Sequence, residues 1–353
     1  MWTAVSWLIS ENSPSKRHWL DMESLSASGA EGLFQNMPHE CRLRRRKDEA
    51  CTNLWFVLEK GAEDGLWPSS WKNHFVILLQ NRMPPAAAER EGKMFTIKWI
   101  GPDGSLKAQD SGEEEARLLV DGEYEEGDRL VVESTQEAVY AWLQIEDVLG
   151  KSLVYLKGSY EYRIPFGEKR ICYSPRAFTG EKHLVTVRKA QETDVHAYRN
   201  LALNVNDQHG NTVCFPRAHA NVETRGESVF AAMNAIDGVT ENRSHGAWPY
   251  ASWGINMQDD AELTLEFGRP VEVDKVVLYT RADFPHDNWW VDGKLTFSDG
   301  SSMQLPMEKS VLPHVFTFEK KRIEWLKLGE LIKADDPSPF PALTQIEVYG
   351  SDI

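Results

Sequence analysis

The densest group of side chains able to bind a polar ligand lies in residues 281–290. This segment combines planar hydrogen-bonding groups with large aromatic rings. A saccharide presents hydroxyl groups in fixed directions and one apolar face of C–H groups, so planar donors and acceptors bind it together with an aromatic ring. We therefore predict that the segment binds a saccharide. Its candidate ligand-binding residues are Arg281, Asp283, His286, Asn288, Trp289 and Trp290.

The same residues have a structural alternative. Tryptophan rings are highly buried on average, so Trp289 or Trp290 can belong to the core instead, and Asp283 can pair with Arg281. Because neighbouring residues of an extended strand point to opposite faces, we expect only one of the two tryptophans to be exposed.

Two further segments are candidates for the same site. His245, Trp248 and Tyr250 are predicted to form its other wall, although a long loop can also fold over its own aromatic rings. The acidic, proline-rich residues 335–341 either bind ligand or cap a turn.

Catalysis is the weaker interpretation of these residues. The sequence contains no H-E-x-x-H, G-x-S-x-G or P-loop motif. His286 with Asp283 or Asp287 is able to act as a base with its orienting carboxylate. We predict a non-catalytic carbohydrate-binding protein. The alternatives are a saccharide-active lyase or hydrolase that uses His286 and Asp283, and a protein–protein docking module.

The elements that must position these residues are short β-strands. Ala261, Leu263, Leu265 and Phe267 alternate with polar residues, which is typical of a strand with one face in the core. Residues 298–301, Ser-Asp-Gly-Ser, predict a hairpin turn. Similar patterns run from residue 94 to the end of the chain. They predict an all-β protein with two antiparallel sandwich (jelly-roll) domains over residues 94–190 and 200–353, preceded by an irregular or disordered extension over residues 1–93.

Five segments of the second predicted domain resemble a known family, the discoidin or coagulation factor 5/8 type C domains. The resemblance covers about residues 200–350. It implies a galactose-binding-like jelly roll, a fold shared with many bacterial carbohydrate-binding modules. The longer aromatic run over residues 245–254 departs from the family pattern, so we expect the loop there to be rebuilt for another ligand. The segments are residues 200–204, 216–220, 234–238, 262–268 and 342–350.

The resemblance also implies a structural calcium ion. The matching groups are the Asp237 carboxylate, backbone carbonyls near Ala235 and Thr240, and the Glu347 carboxylate. Such hard oxygen ligands suit Ca²⁺. The alternative is that Asp237 only caps its turn.

Composition excludes some classes of partner. The chain has 353 residues, with 39 Lys and Arg against 54 Asp and Glu, a net charge of −15. This acidity disfavours nucleic acid and anionic membranes as partners. The four cysteines are irregularly spaced, and the N-terminal residues lack a basic, then apolar, secretory pattern, so we expect a cytoplasmic protein. The oligomeric state stays open.

Overall fold

In the computed structural model, the described residues are 92–353 and, within residues 1–91, the backbone of five strands. The chain divides into two compact units, Met1–Arg90 and Glu91–Ile353. The five strands form an antiparallel sheet of order β2-β1-β5-β4-β3. For the rest of residues 1–93, the expected irregular extension stays a prediction, because residues up to 91 outside these strands are not described. The strands are β1 Val5–Leu8, β2 Trp19–Leu20, β3 Cys41–Lys47, β4 Leu54–Lys60 and β5 Phe75–Leu79.

The second unit begins with a sandwich of two antiparallel sheets. In its first strand, Phe95, Ile97 and Trp99 alternate with half-exposed residues, and these three face the core, as their period of two predicts. The strands are β6 Phe95–Ile100, β7 Leu106–Gly112, β8 Glu115–Asp121, β9 Arg129–Ser134, β10 Val139–Gln144, β11 Ser152–Leu156, β12 Tyr160–Arg163 and β13 Lys182–Lys189.

A short connection joins this sandwich to the next one. It contains helix α1, Glu192–Val195, and strand β14, Arg199–Asn200. The chain then returns to the first sandwich, where β15, Cys214–Phe215, pairs with β11. The two sheets of the first sandwich therefore have the orders β12-β9-β6-β7 and β15-β11-β10-β13-β8. Short 3₁₀ turns occupy Gly167–Arg170, Thr224–Gly226, Ser228–Phe230 and Ala232–Ile236.

The second sandwich is built on two long, irregular strands. The strands Leu263–Thr280 and His314–Lys333 are each continuous, over 18 and 20 residues, and the predicted alternation of Leu263, Leu265 and Phe267 lies at the start of the first. Register shifts interrupt the pairing of the long strands, one of them at Gly268, whose φ of +69° suits glycine. The strands are β16 Arg217–Ala220, β17 Trp253–Gly254, β18 Leu263–Thr280, β19 Trp290–Phe297, β20 Ser302–Gln304, β21 His314–Lys333 and β22 Ala342–Asp352.

The hydrogen-bonded order of the second sandwich is β14-β22-β18-β21-β19-β20, with β16 on β18 and β17 on β22. Its core draws on most of these strands and includes the fully buried Trp253, Phe267 and Phe297. The predicted hairpin is confirmed, because β19 pairs with β20 across residues 298–301. The predicted all-β class and antiparallel sandwich architecture are also confirmed.

A buried charge cluster links the two sandwiches. Arg269 of β18 donates through Nε to Oδ1 of Asp352 at 2.6 Å, and its guanidinium lies over the rings of Tyr140 and Tyr155. The Tyr140 hydroxyl donates to the same carboxylate at 3.1 Å. Contacts from both sandwiches therefore meet at Asp352. Among the described residues, no helix has the length and apolar character needed to cross a membrane.

Candidate functional site

The loop between β18 and β19 is held by a buried ion pair. Arg281 and Asp287 are both buried, and the guanidinium donates from Nε at 2.9 Å and from Nη2 at 2.6 Å to the carboxylate. The backbone N–H of Asp283 donates to Asp287 at 2.9 Å. A buried ion pair of this kind holds a loop rigidly, because separating the two groups would leave each charge buried without a partner. Arg281 thus pairs with Asp287, not with Asp283, and it positions the loop from within.

Two other predicted ligand residues also act as anchors of the loop. Asn288 is buried and donates to the carbonyls of Ala334 and Ser338 at 3.0 and 2.8 Å. Trp290 is 1% exposed and belongs to the core. Trp289 is half-buried, so the expectation that only one of the two tryptophans reaches the surface agrees with the structure. The Trp289 ring lies edge-to-face on Phe284 and under the Lys309 ammonium group.

The surface of this loop carries a stack of three rings. His245 and His286 lie parallel, with centroids 4.1 Å apart and planes 9° apart. His286 also stacks on Phe340, at 5.3 Å and 12°. The three rings come from three separate loops. His245 follows the 3₁₀ turn Ala232–Ile236, His286 follows β18, and Phe340 precedes β22. We call His245, Asp283, His286 and Phe340 the histidine stack.

Carboxylates orient both imidazoles of the histidine stack. Nδ1 of His245 lies 2.7 Å from Oδ2 of Asp283, and Nδ1 of His286 lies 3.0 Å from Oδ1 of Asp287. A carboxylate accepts, so each Nδ1 carries a proton, and in the neutral imidazole each Nε2 keeps its lone pair. Within residues 92–353 neither Nε2 has a hydrogen-bond partner. The stack therefore presents two acceptor nitrogens and an aromatic ring at the surface.

The remaining residues of the predicted second wall lie elsewhere. The Trp248 backbone N–H donates to the Ile171 carbonyl at 2.9 Å, and the side chain, 38% exposed, lines a cavity of about 200 Å³. Residues of both sandwiches, among them Cys172, Asp207 and Asp237, line this cavity. Tyr250 is half-buried in the same loop, and Trp253 is fully buried in the core. Of the predicted wall, the structure brings His245 alone into contact with the 281–290 loop side chains Asp283 and His286.

Two of the groups that the resemblance assigns to calcium make other contacts in the structure, and the ion itself stays a prediction. The Glu347 carboxylate accepts from the Tyr349 hydroxyl at 3.2 Å. Gln345, two residues earlier on β22, contacts the turn, where its Oε1 accepts from the Gly238 N–H at 3.2 Å. Oδ1 of Asp237 accepts from the Val239 N–H at 2.8 Å, as in the turn-capping alternative.

Burial also affects the charge state of Asp237. Burial raises the pKa of Asp237 to about 8, which favours the neutral carboxyl near neutral pH. The calcium ion stays a prediction, and no chemistry is derived through it.

Phe340 is the one member of the histidine stack that the sequence analysis named only as part of a segment, residues 335–341. It lies between Pro339 and Pro341 and is 42% exposed. A large aromatic ring between two prolines in a polar loop is a signal for an exposed, rigid platform. Asp336 of the same segment caps its turn by accepting from the Ser338 N–H at 2.9 Å.

Comparison with known proteins gives a partial family match and several distant structural likenesses. Residues 215–333 match the family described as a domain of unknown function (DUF7402). No curated protein sequence matches the chain.

Similar solved structures include chitosan-binding module 1 of a Paenibacillus sp. IK-5 chitosanase/glucanase, at 18% identity over 43% of this chain and 98% of the module, with a TM-score of 0.31. The family 32 carbohydrate-binding module of NanJ from C. perfringens, solved with galactose, is 18% identical over 37% of this chain and 91% of that chain, with a TM-score of 0.29. A fucose-binding module of Streptococcus pneumoniae, SpX-3, is 12% identical over 43% of this chain and 98% of the module, with a TM-score of 0.31.

Proposed function

We propose that the protein is a non-catalytic carbohydrate-binding protein that holds a saccharide on the histidine stack. The observation that carries the proposal is the parallel stack of His245, His286 and Phe340 with two open Nε2 acceptors beside it. Two such acceptors receive hydroxyl hydrogens, and Phe340 offers a face to sugar C–H groups. The modules similar in structure bind chitosan, galactose and fucose, but the proposal rests on this chain's own side chains.

The expected affinity is modest. A sugar face stacked on one ring removes on the order of 100 Å² of apolar surface from water, worth about 2.5 kcal/mol at ~25 cal/mol per Å². Two or three hydrogen bonds add about 1 kcal/mol each. Association entropy offsets several kcal/mol of this sum, so a single shallow site should bind near the millimolar scale.

One observation favours an enzyme as the second candidate. His245 with Asp283 and His286 with Asp287 are each arranged as a base with its orienting carboxylate. A saccharide-active hydrolase or lyase uses such a base to take a proton from water or from a sugar carbon. The binding experiment below therefore includes a measurement of turnover.

The experiment is a glycan array with the full chain, followed by calorimetric titration of the best-bound sugar. The variants are His286→Ala, Phe340→Ala and, as the matched control, His209→Ala. His209 is also an exposed histidine beside a carboxylate, 3.5 Å from Glu223, but has no stacked ring partner among the described residues. We expect His286→Ala and Phe340→Ala to weaken binding about 10-fold or more, and His209→Ala to leave it unchanged.

Two outcomes would contradict the proposal. Equal affinity in all folded variants would place the sugar elsewhere on the molecule. Release of reducing ends by the wild type, lost in His286→Ala, would show an enzyme instead of a binding protein.

A further inference from the structure

The cavity beside Trp248 lies apart from the histidine stack, since no residue of the stack lines it. Its volume is about 200 Å³, and residues of both sandwiches form its wall. At about 30 Å³ per water, this is the space of roughly seven waters. The side chains of Arg176 and Trp248 line the cavity and are exposed, so it opens to solvent beside them. The cavity therefore has room and access for a small organic molecule.

Two buried side chains of the cavity wall have polar groups without a partner. Asn234 is 3% exposed, and its Nδ2 donates to the carbonyls of Ser228 and Ser252 at 2.8 and 3.5 Å. Its Oδ1 accepts no hydrogen bond from the described residues. The hydroxyl group of Ser174, which is 6% exposed, likewise makes no hydrogen bond to this part of the chain. Buried polar groups almost always have a partner, so these two need one that the described chain does not supply.

Charged groups of both signs line the same cavity without pairing with each other. Among the described residues, neither Asp207 nor Asp237 has an ion-pair partner, and neither does Arg176. The Asp207 carboxylate is already hydrogen-bonded by the chain, the Ala218 N–H at 2.9 Å among its donors. Asp237 uses only Oδ1, which accepts from the Val239 N–H at 2.8 Å. One open carboxyl oxygen and one open guanidinium therefore face a shared space.

We propose that this cavity binds a small zwitterion, of which a free α-amino acid is the simplest kind. An ammonium group only donates, so it suits the open oxygens of Asn234 and Asp237. A carboxylate only accepts, and the Arg176 guanidinium binds it through charge-assisted hydrogen bonds. The apolar part of the ligand has apolar neighbours, because the cavity is also lined by Val148, Leu149, Met233 and Val239.

Other classes of ligand satisfy fewer of these groups. A neutral sugar would leave the charges of Arg176 and the two aspartates unpaired, and a metal ion would leave the guanidinium unpaired. The inference goes beyond saccharide binding on the histidine stack and does not depend on it.

The test is calorimetric titration of the full chain with L-alanine, L-serine and L-leucine in EDTA, which removes any calcium ion from Asp237. The best-bound amino acid is then compared with its N-acetyl form, which has no cation, and with its amide, which has no carboxylate. The variants are Arg176→Gln and Ser174→Ala, with Arg163→Gln and His286→Ala as controls. Arg163 is also an arginine with an exposed side chain, 81%, but it lies outside the cavity.

We expect the wild type to bind one amino acid per chain. Arg176→Gln, the N-acetyl form and the amide should each weaken binding about 10-fold or more, because each removes one charge-assisted contact. Ser174→Ala should weaken it less, since the hydroxyl group is neutral. Both controls should bind as tightly as the wild type.

Three results would overturn the proposal. They are no binding of any of the three amino acids, equal affinity for the amino acid and its two derivatives, and equal affinity in the wild type and the folded Arg176→Gln variant. Circular dichroism shows whether each variant is folded, and Arg176 is exposed, so the fold should survive its replacement. His286→Ala tests the sugar site and Arg176→Gln tests this cavity, so failure of one proposal is distinguishable from failure of the other.

Discussion

At the scale of single residues, the ion pair between Arg281 and Asp287 determines how the histidine stack is presented. Asp287 accepts from Arg281, from the Asp283 backbone and from His286, so one buried carboxylate fixes three parts of the loop. The Ser338 hydroxyl ties the next loop to the His286 carbonyl. The exposed residues of the histidine stack, which contact the ligand in our proposal, are therefore positioned by the buried Arg281 and Asp287, which do not.

Replacing Asp287 by Asn should destabilise the protein by about 3–5 kcal/mol, because it leaves the buried Arg281 guanidinium without a counter-charge. Glu241→Gln is the matched control, since Glu241 pairs with an Arg243 side chain that is 72% exposed. Water screens an exposed pair, so this substitution should cost much less than the buried one. Urea unfolding measures both. Similar losses in the two variants would mean that the Arg281–Asp287 pair is not the anchor described here.

Asp237 should give stability an unusual pH dependence. Because burial raises its folded-state pKa to about 8, the folded protein keeps a proton that the unfolded chain releases near its ordinary value of 3.8. The free energy of unfolding should therefore fall as the pH rises from about 4 to about 8, and Asp237→Asn should make this dependence shallower. Unfolding curves across that range measure it.

The calcium ion implied by the resemblance gives a second prediction for Asp237. If the turn binds calcium as the resemblance implies, added Ca²⁺ should raise the melting temperature of the wild type, EDTA should reverse the rise, and Asp237→Asn should abolish it. No change in the wild type with Ca²⁺ or EDTA would remove the ion from the account.

At the scale of elements, the long strand β18 depends on one glycine at its register shift. A Cβ atom at Gly268 would lie 2.4 Å from Cγ of Phe215, and the residue has a φ of +69°. Gly300 in the β19–β20 turn has a φ of +85° but open space around it. An alanine would have a strained backbone at both positions, but only at Gly268 would its Cβ also collide with a buried ring.

Gly268→Ala should therefore cost clearly more than Gly300→Ala. Strain alone costs on the order of 1 kcal/mol, and displacement of a packed side chain typically adds 1–3 kcal/mol. Thermal and urea unfolding of the two variants give the comparison. Equal destabilisation would mean that β15 moves aside freely and that its Phe215 does not hold the bend of β18.

Sequence patterns predicted the strands and turns better than they predicted which distant side chains contact each other. A period of two identified the core faces of β6 and β18, and the Asp-Gly pair identified the β19–β20 hairpin, because these are local properties of a strand or turn. Contacts between side chains that are far apart in the sequence could not be predicted in this way. Whether Arg281 meets Asp283 or Asp287 depends on the loop's path, and whether Gln345 or Glu347 meets the Asp237 turn depends on a shift of two residues along one strand face.

At the scale of the whole molecule, Asp352 connects the two sandwiches of residues 91–353. Burial acts to raise its pKa, but the hydrogen bonds and charges of Arg269 and Arg199 outweigh this and lower it. The ionised carboxylate therefore contributes its full stabilisation at a pH above its unfolded-state pKa. This contribution to the free energy of unfolding is lost as the pH falls through the lower folded-state pKa. The same carboxylate accepts from Tyr140 of the first sandwich.

Asp352→Asn should uncouple the sandwiches. It leaves Arg269 buried without its counter-charge, a loss of about 3–5 kcal/mol located at the junction. We expect calorimetry to show one unfolding transition for this unit in the wild type and two in the variant. A single transition, unshifted in the variant, would show that other contacts couple the two cores.

The central claim, that a saccharide lies on the histidine stack, is tested most directly by NMR of the histidine side chains. The chain has 10 histidines, and the Cε1–H signals of His245 and His286 are assigned from their Ala variants. Saturating amounts of the best-bound glycan should shift these two signals and leave those of the buried His183 and of His209 in place. Shifts confined to other histidines, or no shift at saturation, would contradict the claim.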